Sequence, residues 1–181
     1  MGGEVNKMKL EPGYFYFIKD TYFEEFKDTG LMRNKENKNG KPHDRPAYYS
    51  YFDTKTNLNW LIPISSQIPK YEAIYNKKVK NNPSGICDTI HFAHVLGKKS
   101  AFLIQNMFPI LPEYIKKVYK DRNTNKNVII NNNKINTELN KKAKKILTLV
   151  KKGHKNLIFP DVLSIENSLL EKLNPIQSQC G

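Results

Sequence analysis

The stretch Asn59-Trp-Leu-Ile-Pro-Ile-Ser-Ser-Gln-Ile-Pro-Lys70 joins an apolar run to two adjacent hydroxyls and a lysine. Its Trp, Leu and Ile side chains are typical of a β-strand, which we expect to end at Ser65 and Ser66. Two hydroxyls and a cation at a strand end can bind an anion such as phosphate. A second interpretation is a plain turn in which the serine hydroxyls satisfy their own backbone, and both stay open here.

The run before it, Arg45-Pro-Ala-Tyr-Tyr-Ser-Tyr-Phe52, has the composition of another strand. The short loop Asp53-Thr-Lys-Thr-Asn57 joins the two runs as in a β-hairpin. We therefore expect Arg45 and Lys70 to converge on the two serines.

The remaining patterns predict an α+β protein of one domain, 1–181, with a compact, strongly bent antiparallel sheet surrounded by helices. Residues 1–12 are expected to be flexible, and a helical tail over 137–173 to pack on the sheet. The expected strands are 14–18, 88–92 and 100–106, with a solvated loop at 33–44 that is either a connector or an RNA-contacting arm. The expected helices are 21–27, capped by Asp20 or Thr21, 70–79, 112–119, 137–153, capped by Thr137, and 161–173.

The charge of the chain is strongly positive, with 30 Lys and Arg against 17 Asp and Glu and a net charge of +13. Such a field holds and steers a polyanion, so nucleic acid is the leading partner. The lysines expected to contact RNA are Lys98 and Lys99 in a basic turn, and Lys141, Lys144, Lys145 and Lys151 around a helix stripe. For the helix lysines, a solvated surface is an equally good interpretation.

Several classes of protein do not fit the sequence. The apolar runs are too short to span a bilayer, and the start, Met1 to Lys7, carries neither a signal-peptide core nor a myristoylation motif, so we expect a cytoplasmic protein. Cys87 and Cys180 have no metal-site spacing, and Cys87 is expected to be a buried apolar residue. No carboxylate cluster suits magnesium, no phosphate-binding glycine loop is present, and no cofactor is expected.

RNA can be cleaved without a metal when its 2′-hydroxyl is aligned on the neighbouring phosphate, a base removes the proton, and cations meet the charge on phosphorus. Lys, Arg, Ser and Tyr side chains suffice for this chemistry. The candidates are Arg45, Ser65, Ser66, Lys70, Lys98, Lys99 and, from the first helix, Tyr22. His91 is interpreted as a solvent-side or partner-facing residue of its strand.

These residues resemble the type III toxin–antitoxin endoribonucleases of the ToxN/AbiQ kind, with their CptN and TenpN relatives. The resemblance lies in Phe15-Tyr-Phe-Ile-Lys-Asp-Thr-Tyr-Phe23, Arg45-Pro-Ala-Tyr-Tyr49, Trp60-Leu-Ile-Pro-Ile-Ser-Ser66 and the basic hairpin Val95 to Pro109. It assigns an active-site tyrosine to Tyr22 and the hydroxyl pair to Ser65 and Ser66. It places the family's basic residue at or beside Arg45, because that residue aligns near Pro46. The chain departs from the family at Ile68, where relatives place a lysine, and Lys70 is the nearest replacement.

The resemblance implies an SH3-like barrel related to the MazF/Kid toxins, and metal-independent cleavage to 2′,3′-cyclic phosphate and 5′-hydroxyl ends. It implies target mRNA as substrate and a repeat-encoded pseudoknot antitoxin RNA as inhibitor, in a closed protein–RNA hetero-oligomer with no protein cofactor. Growth arrest and abortive phage infection are the implied roles.

Two other hypotheses remain at this stage. A non-catalytic RNA- or DNA-binding module would use the same cations only to contact phosphates. A MazF-type ribonuclease would instead be held by a protein antitoxin and present an apolar surface to it.

Overall fold

The computed structural model describes residues 9–174, apart from the side chain of Lys38. The strands are β1 (Phe15–Ile18), β2 (Lys35–Lys38), β3 (Lys41–Asp44), β4 (Ala47–Asp53), β5 (Leu58–Ser65), β6 (His91–Val95), β7 (Lys98–Phe102), β8 (Phe108–Ile110) and β9 (Ile115–Val118). The helices are α1 (Asp20–Glu25), α2 (Ile68–Asn81), α3 (Asn133–Lys151) and α4 (Val162–Leu173), with short 3₁₀ turns at Ile104–Asn106 and Pro112–Tyr114.

The main sheet is antiparallel and runs in the order β6-β7-β5-β4-β1-β9, while β8 pairs with β5. The predicted α+β class and antiparallel sheet are confirmed. Among the described strands, no pairing joins the outer strands β6 and β9, so the sheet is not closed into a barrel.

Strand β5 lies at the centre of the sheet. One of its edges pairs with β4, and the other edge changes partner along its length. Its first half pairs with β8 at Asn59–Leu61, and its end pairs with β7 at Ile64 and Ser65. Pro63 lies between these two segments and has no N–H for a ladder hydrogen bond, which suits a position where one partner gives way to another. The change of partner directs the end of β5 toward α2.

Alternation along the central strands separates two core layers. Phe15, Tyr48 and Trp60 face α3, whose Leu139, Ala143, Ile146 and Leu147 are buried. Their sequence neighbours Tyr16, Tyr49 and Leu61 face the opposite side, with Ile165 and Leu169 of α4. The period of two in the sequence therefore places helices on both faces of the sheet. A third cluster packs α2 against Ile90, Ala101 and Leu103, and includes the buried Cys87, as predicted.

The predicted hairpin of residues 45–65 is confirmed as β4 and β5, with Ala47 opposite Pro63. The predicted loop at 33–44 is wrong, because β2 and β3 form a separate two-stranded hairpin there. Asn39 and Gly40 make its turn with φ angles of 53° and 76°. Asn-Gly with both residues in the left-handed region is the preferred two-residue hairpin turn, so a local signal was present in the polar sequence.

The predicted helix at 112–119 is also wrong. A single 3₁₀ turn at Pro112–Tyr114 leads into β9, which pairs with β1. Strand β9 covers the edge of β1 that would otherwise have no hydrogen-bonded neighbour. In this segment strand pairing therefore outweighs the short helical pattern of the sequence.

The other helices agree with prediction in type but not in every boundary. Lys19, and neither Asp20 nor Thr21, is the N-cap residue of α1. Helix α3 starts earlier than expected because the Asn132 side chain accepts hydrogen bonds from the Lys134 and Ile135 N–H groups.

The helical segments predicted over 137–173 pack on the sheet as α3 and α4. Of residues 1–12, Leu10 is buried, and Met1 to Met8 lie outside the described residues. Cys180 also lies outside them. No helix within residues 9–174 combines the length and apolarity needed to cross a bilayer.

Candidate active site

The two serines at the end of β5 differ in their surroundings. Ser65 is buried, with 4% of its surface exposed, and its Oγ accepts a hydrogen bond from the Gln67 N–H at 3.2 Å. Ser66 is exposed, and its hydroxyl has no hydrogen-bond partner within residues 9–174. Ser65 therefore satisfies the turn, as the second interpretation predicted for the pair, while the Ser66 hydroxyl is available to a ligand.

Arg45 lies where the hairpin predicts, at the start of the strand that runs beside β5. Its Nη1 donates to the Ile64 carbonyl at 3.3 Å, and its Nε donates to the Arg33 carbonyl at 3.2 Å. The expected convergence of Arg45 with the end of β5 is therefore present in the structure.

Glu36 of β2 forms an ion pair with Arg45, with 2.6 Å between Nη1 and Oε1. The two side chains are only 13% and 19% exposed. Burial lowers the pKa of the Arg45 guanidinium, and Glu36 acts in the opposite direction. Arg45 stays charged at neutral pH because a guanidinium is a much stronger base than any other side chain.

Tyr71, in the first turn of α2, completes the group, and sequence reasoning assigned it only to the apolar stripe of this helix. Its ring packs with Ile90 and Ala101. Burial raises the pKa of the Tyr71 hydroxyl, whereas the charge of Arg45 and hydrogen bonding to Ser65 lower it. A tyrosine directly after Lys70, with an apolar ring and a polar tip, was the signal that could have pointed to this position.

Lys70 is exposed in the same turn, with its Nζ 5.4 Å from the centre of the Tyr71 ring. The first turn of a helix carries a partial positive charge, which adds to that of Lys70 and Arg45. Ser66 therefore lies between the end of a strand and the start of a helix, in a positive environment.

The cavity beside Arg45 is small, about 10 Å³, which corresponds to about one water molecule. Its walls include Phe23, Met32, Pro63 and Phe108. A nucleotide does not fit inside it, so a ligand of that size could reach this site only from the outer surface, where Ser66 and Lys70 are exposed.

The structure does not bring Tyr22 into this group. Its side chain is fully buried, and its hydroxyl donates to the Pro109 carbonyl at 2.8 Å. Its ring packs against Phe23, Phe26 and Phe108, and burial raises the pKa of its hydroxyl well above the usual value. The expectation of a catalytic Tyr22 is therefore corrected. Its side chain has no access to solvent and its hydroxyl already donates a hydrogen bond to the backbone, so Tyr22 is a core residue.

The predicted RNA-contacting lysines fall into two sets. Lys98 and Lys99 lie in the β6–β7 hairpin, and the Lys99 Nζ is 2.6 Å from a carboxylate oxygen of Glu72 on α2, one residue after Tyr71. This contact places Lys99 beside the candidate site.

The second set lies along α3. Lys141 is exposed and has no partner among the described residues, and the Lys144 Nζ is 5.0 Å from the Tyr51 ring centre. Lys145 and Lys151 form ion pairs with Asp88 and Glu166. Part of this lysine surface is therefore neutralised within the protein. His91 is half-buried beside Lys142 and Glu138 rather than solvent-facing, and burial lowers its pKa.

No set of three or more His, Cys, Asp or Glu side chains in the described part of the chain is arranged to hold a metal ion. The sequence matches no family model, and no curated protein matches it.

A solved structure does match the chain: AbiQ, described as a lactococcal anti-phage endoribonuclease belonging to the type III toxin–antitoxin system. The superposition has a TM-score of 0.63, covers 90% of this chain and 99% of AbiQ, and has 15% sequence identity. The resemblance to the ToxN/AbiQ group is confirmed at the level of the fold. The chain therefore shares the fold of AbiQ over nine-tenths of its length.

Proposed function

We propose that this protein is an endoribonuclease toxin of a type III toxin–antitoxin system. The observation that carries the proposal is the convergence of Ser66, Arg45, Lys70 and Tyr71 where β5 meets α2, on a chain with the fold of AbiQ. The net charge of +13 supports RNA as the substrate.

The reaction would be an internal transesterification. The 2′-oxygen of the substrate attacks the adjacent phosphorus, the bond from phosphorus to the 5′-oxygen breaks, and the leaving oxygen takes a proton. The products are a 2′,3′-cyclic phosphate and a 5′-hydroxyl, without a metal ion in the step.

The exposed Ser66 hydroxyl would align or activate the 2′-hydroxyl, because it is the accessible hydroxyl at the strand end. Lys70 and the start of α2 would hold the phosphate. Arg45 would stabilise the charge that develops on phosphorus, once the phosphate competes with Glu36 for its guanidinium. Tyr71, held between Ser65 and Arg45, would position these groups.

The natural partner would be an antitoxin RNA, a set of pseudoknot repeats that the toxin processes and that then occupies the same surface. The complex would close through protein–RNA contacts, and the biological role would be growth arrest or abortive phage infection, in the cytoplasm. We also propose that the bent sheet is an opened relative of the SH3-like barrel of MazF/Kid toxins.

The first test is cleavage of labelled total RNA in EDTA by wild-type protein and by Ser66→Ala, after removal of co-purified RNA. We expect cyclic-phosphate ends with wild type and a loss of about 100-fold or more in rate for Ser66→Ala, with RNA binding retained. Ser65→Ala is the matched comparison, because that hydroxyl is buried and already bonded to Gln67, and its loss should reduce cleavage far less than the loss of the Ser66 hydroxyl.

Full cleavage by Ser66→Ala would remove Ser66 from the mechanism. Binding without cutting by wild type would favour the non-catalytic binding module. Neutralisation by a co-purified protein, rather than by an RNA, would favour the MazF-type alternative.

A further inference from the structure

The ring of Phe159 is 53% exposed, although the backbone that carries it is closely held. The Phe159 N–H donates to the Gln105 carbonyl at 2.8 Å. Gly30 packs so closely that a Cβ there would lie 2.3 Å from the Phe159 carbonyl carbon. The fold therefore presents this aromatic ring to solvent on a fixed backbone.

Lys78 of α2 lies beside the ring, with 5.8 Å from its Nζ to the ring centre, within the range of a cation–π contact. The same Nζ donates to the Thr89 hydroxyl and to the Gln105 side-chain oxygen, each at 2.8 Å. These bonds hold the ammonium over one face of the Phe159 ring, and Phe159 as a whole stays 53% exposed.

An open groove of about 590 Å³ starts at Lys78 and is lined by Ile74, Lys77, Lys78, Asn81, Asn82 and Pro83. This volume falls within the range of sites that bind small molecules, about 300–1,000 Å³. The lining has two ammonium groups and two amides but no carboxylate. The Asn82 amide is already bonded to Ile86 and Ser84, whereas the Asn81 amide has no partner among the described residues.

The groove is connected to the candidate active site in two ways. Tyr71 and Lys78 are seven residues apart on the same face of α2, about 10 Å along the helix axis. The segment from Gly30, which packs on Phe159, leads to Arg33, whose carbonyl accepts from Arg45.

We propose that Phe159 and the groove beside it form a subsite for single-stranded RNA, in which a base a few nucleotides from the cleaved bond stacks on the ring. The adjoining phosphate would contact Lys77, and Asn81 would contact the base edge. The proposal rests on the function proposed above and names a part of the substrate surface outside the reacting group. A base on an aromatic ring contributes roughly 5- to 150-fold in affinity, and every base has a face that can stack.

The test uses a labelled, short single-stranded RNA with 2′-O-methyl sugars, which cannot be cut, and measures binding by fluorescence anisotropy. We expect Phe159→Ala to bind roughly 5- to 150-fold more weakly than wild type. Phe52→Ala is the matched control, because Phe52 is also exposed, at 46%, but lies at the turn end of β4. Its affinity should equal that of wild type.

A second measurement identifies stacking itself. Abasic sites are introduced one at a time along the RNA, and wild type should lose affinity at one position where Phe159→Ala loses none. Phe159→Trp should restore binding, and its fluorescence should be quenched by the bound base, above a constant signal from the buried Trp60.

Wild-type affinity in Phe159→Ala, or equal abasic losses in both proteins, would overturn the subsite. That result would stand apart from the activity, because wild type would still cut ordinary RNA. If wild type binds RNA but never cuts it, the proposed function fails while the abasic comparison still decides the subsite. If wild type does not bind RNA, both proposals fail.

Discussion

Two hydroxyl-bearing clusters of this protein, one around Ser66 and one around Tyr22, were expected to belong to a single active site. The Ser66 cluster lies at the surface and combines an exposed hydroxyl with Lys70 and Arg45. In the Tyr22 cluster the hydroxyl is fully buried and already bonded to Pro109. Residue type therefore selects candidates for chemistry, whereas access to solvent and unused hydrogen-bonding capacity decide among them.

After Ser66, the largest effect on activity is expected at Arg45. Arg45→Ala removes the buried cation beside the end of β5, and we expect the rate of cleavage to fall by about 100- to 1,000-fold. RNA binding should weaken far less, because most of the positive charge remains. Single-turnover cleavage and anisotropy separate the two quantities.

Arg45→Ala also removes the Arg45–Glu36 ion pair, so stability has to be measured in the same samples. Arg45→Ala with Glu36→Gln removes both charges of that pair. If the double variant regains wild-type cleavage, Arg45 is structural and has no part in the reaction.

Tyr71 is the buried residue beside Ser65 and Arg45, and its hydroxyl can be tested separately from its ring. Tyr71→Phe keeps the ring in its apolar cluster and removes only the hydroxyl beside Ser65 and Arg45. The loss of one positioning hydrogen bond should reduce cleavage by about 5- to 10-fold with little change in RNA affinity. Tyr75→Phe is the control on the same helix, and an equal loss in both variants would argue against a specific role for Tyr71.

Glu36→Gln should have a smaller effect, and it should strengthen RNA binding rather than weaken it. Glu36→Gln keeps the shape of the side chain but removes the charge that competes with phosphate for Arg45. We expect RNA to bind about 2- to 5-fold more tightly, and the difference to shrink at high salt as screening increases. Glu72→Gln, at the exposed ion pair with Lys99, is the comparison, and unchanged affinity in Glu36→Gln would show that RNA does not reach Arg45.

The substitution Tyr22→Phe should leave the rate of RNA cleavage unchanged. Tyr22→Phe removes the bond to the Pro109 carbonyl, and we expect the free energy of unfolding to fall by about 1–2 kcal/mol. Urea denaturation measures this change, and cleavage at a temperature where both proteins are folded should match wild type. A large loss of cleavage in the folded variant would return Tyr22 to the active site.

The parts of the fold that the sequence predicted well have strong local patterns. The β4–β5 hairpin follows from two apolar and aromatic runs around a short polar loop. Helices α3 and α4 follow from apolar stripes of helical period. The place of Ser65 and Ser66 at a strand end follows from the same hairpin.

The parts that were missed depend on pairing with distant residues. β2 and β3 have few apolar residues, and only the Asn39-Gly40 turn marked them locally. Pro112 suits the first turn of a helix, but the segment after it pairs with the edge of β1 as strand β9.

Composition and short-range spacing were enough to predict the β4–β5 hairpin, helices α2 to α4, the positive charge and the nearness of Arg45 to the serine pair. The packing of distant segments leaves Ser66 exposed and Ser65 buried, places Tyr22 in the core and brings Tyr71 beside Ser65 and Arg45. Burial and hydrogen-bond partners arise when separate segments pack together, and here those segments come from β2, β4, β5 and α2.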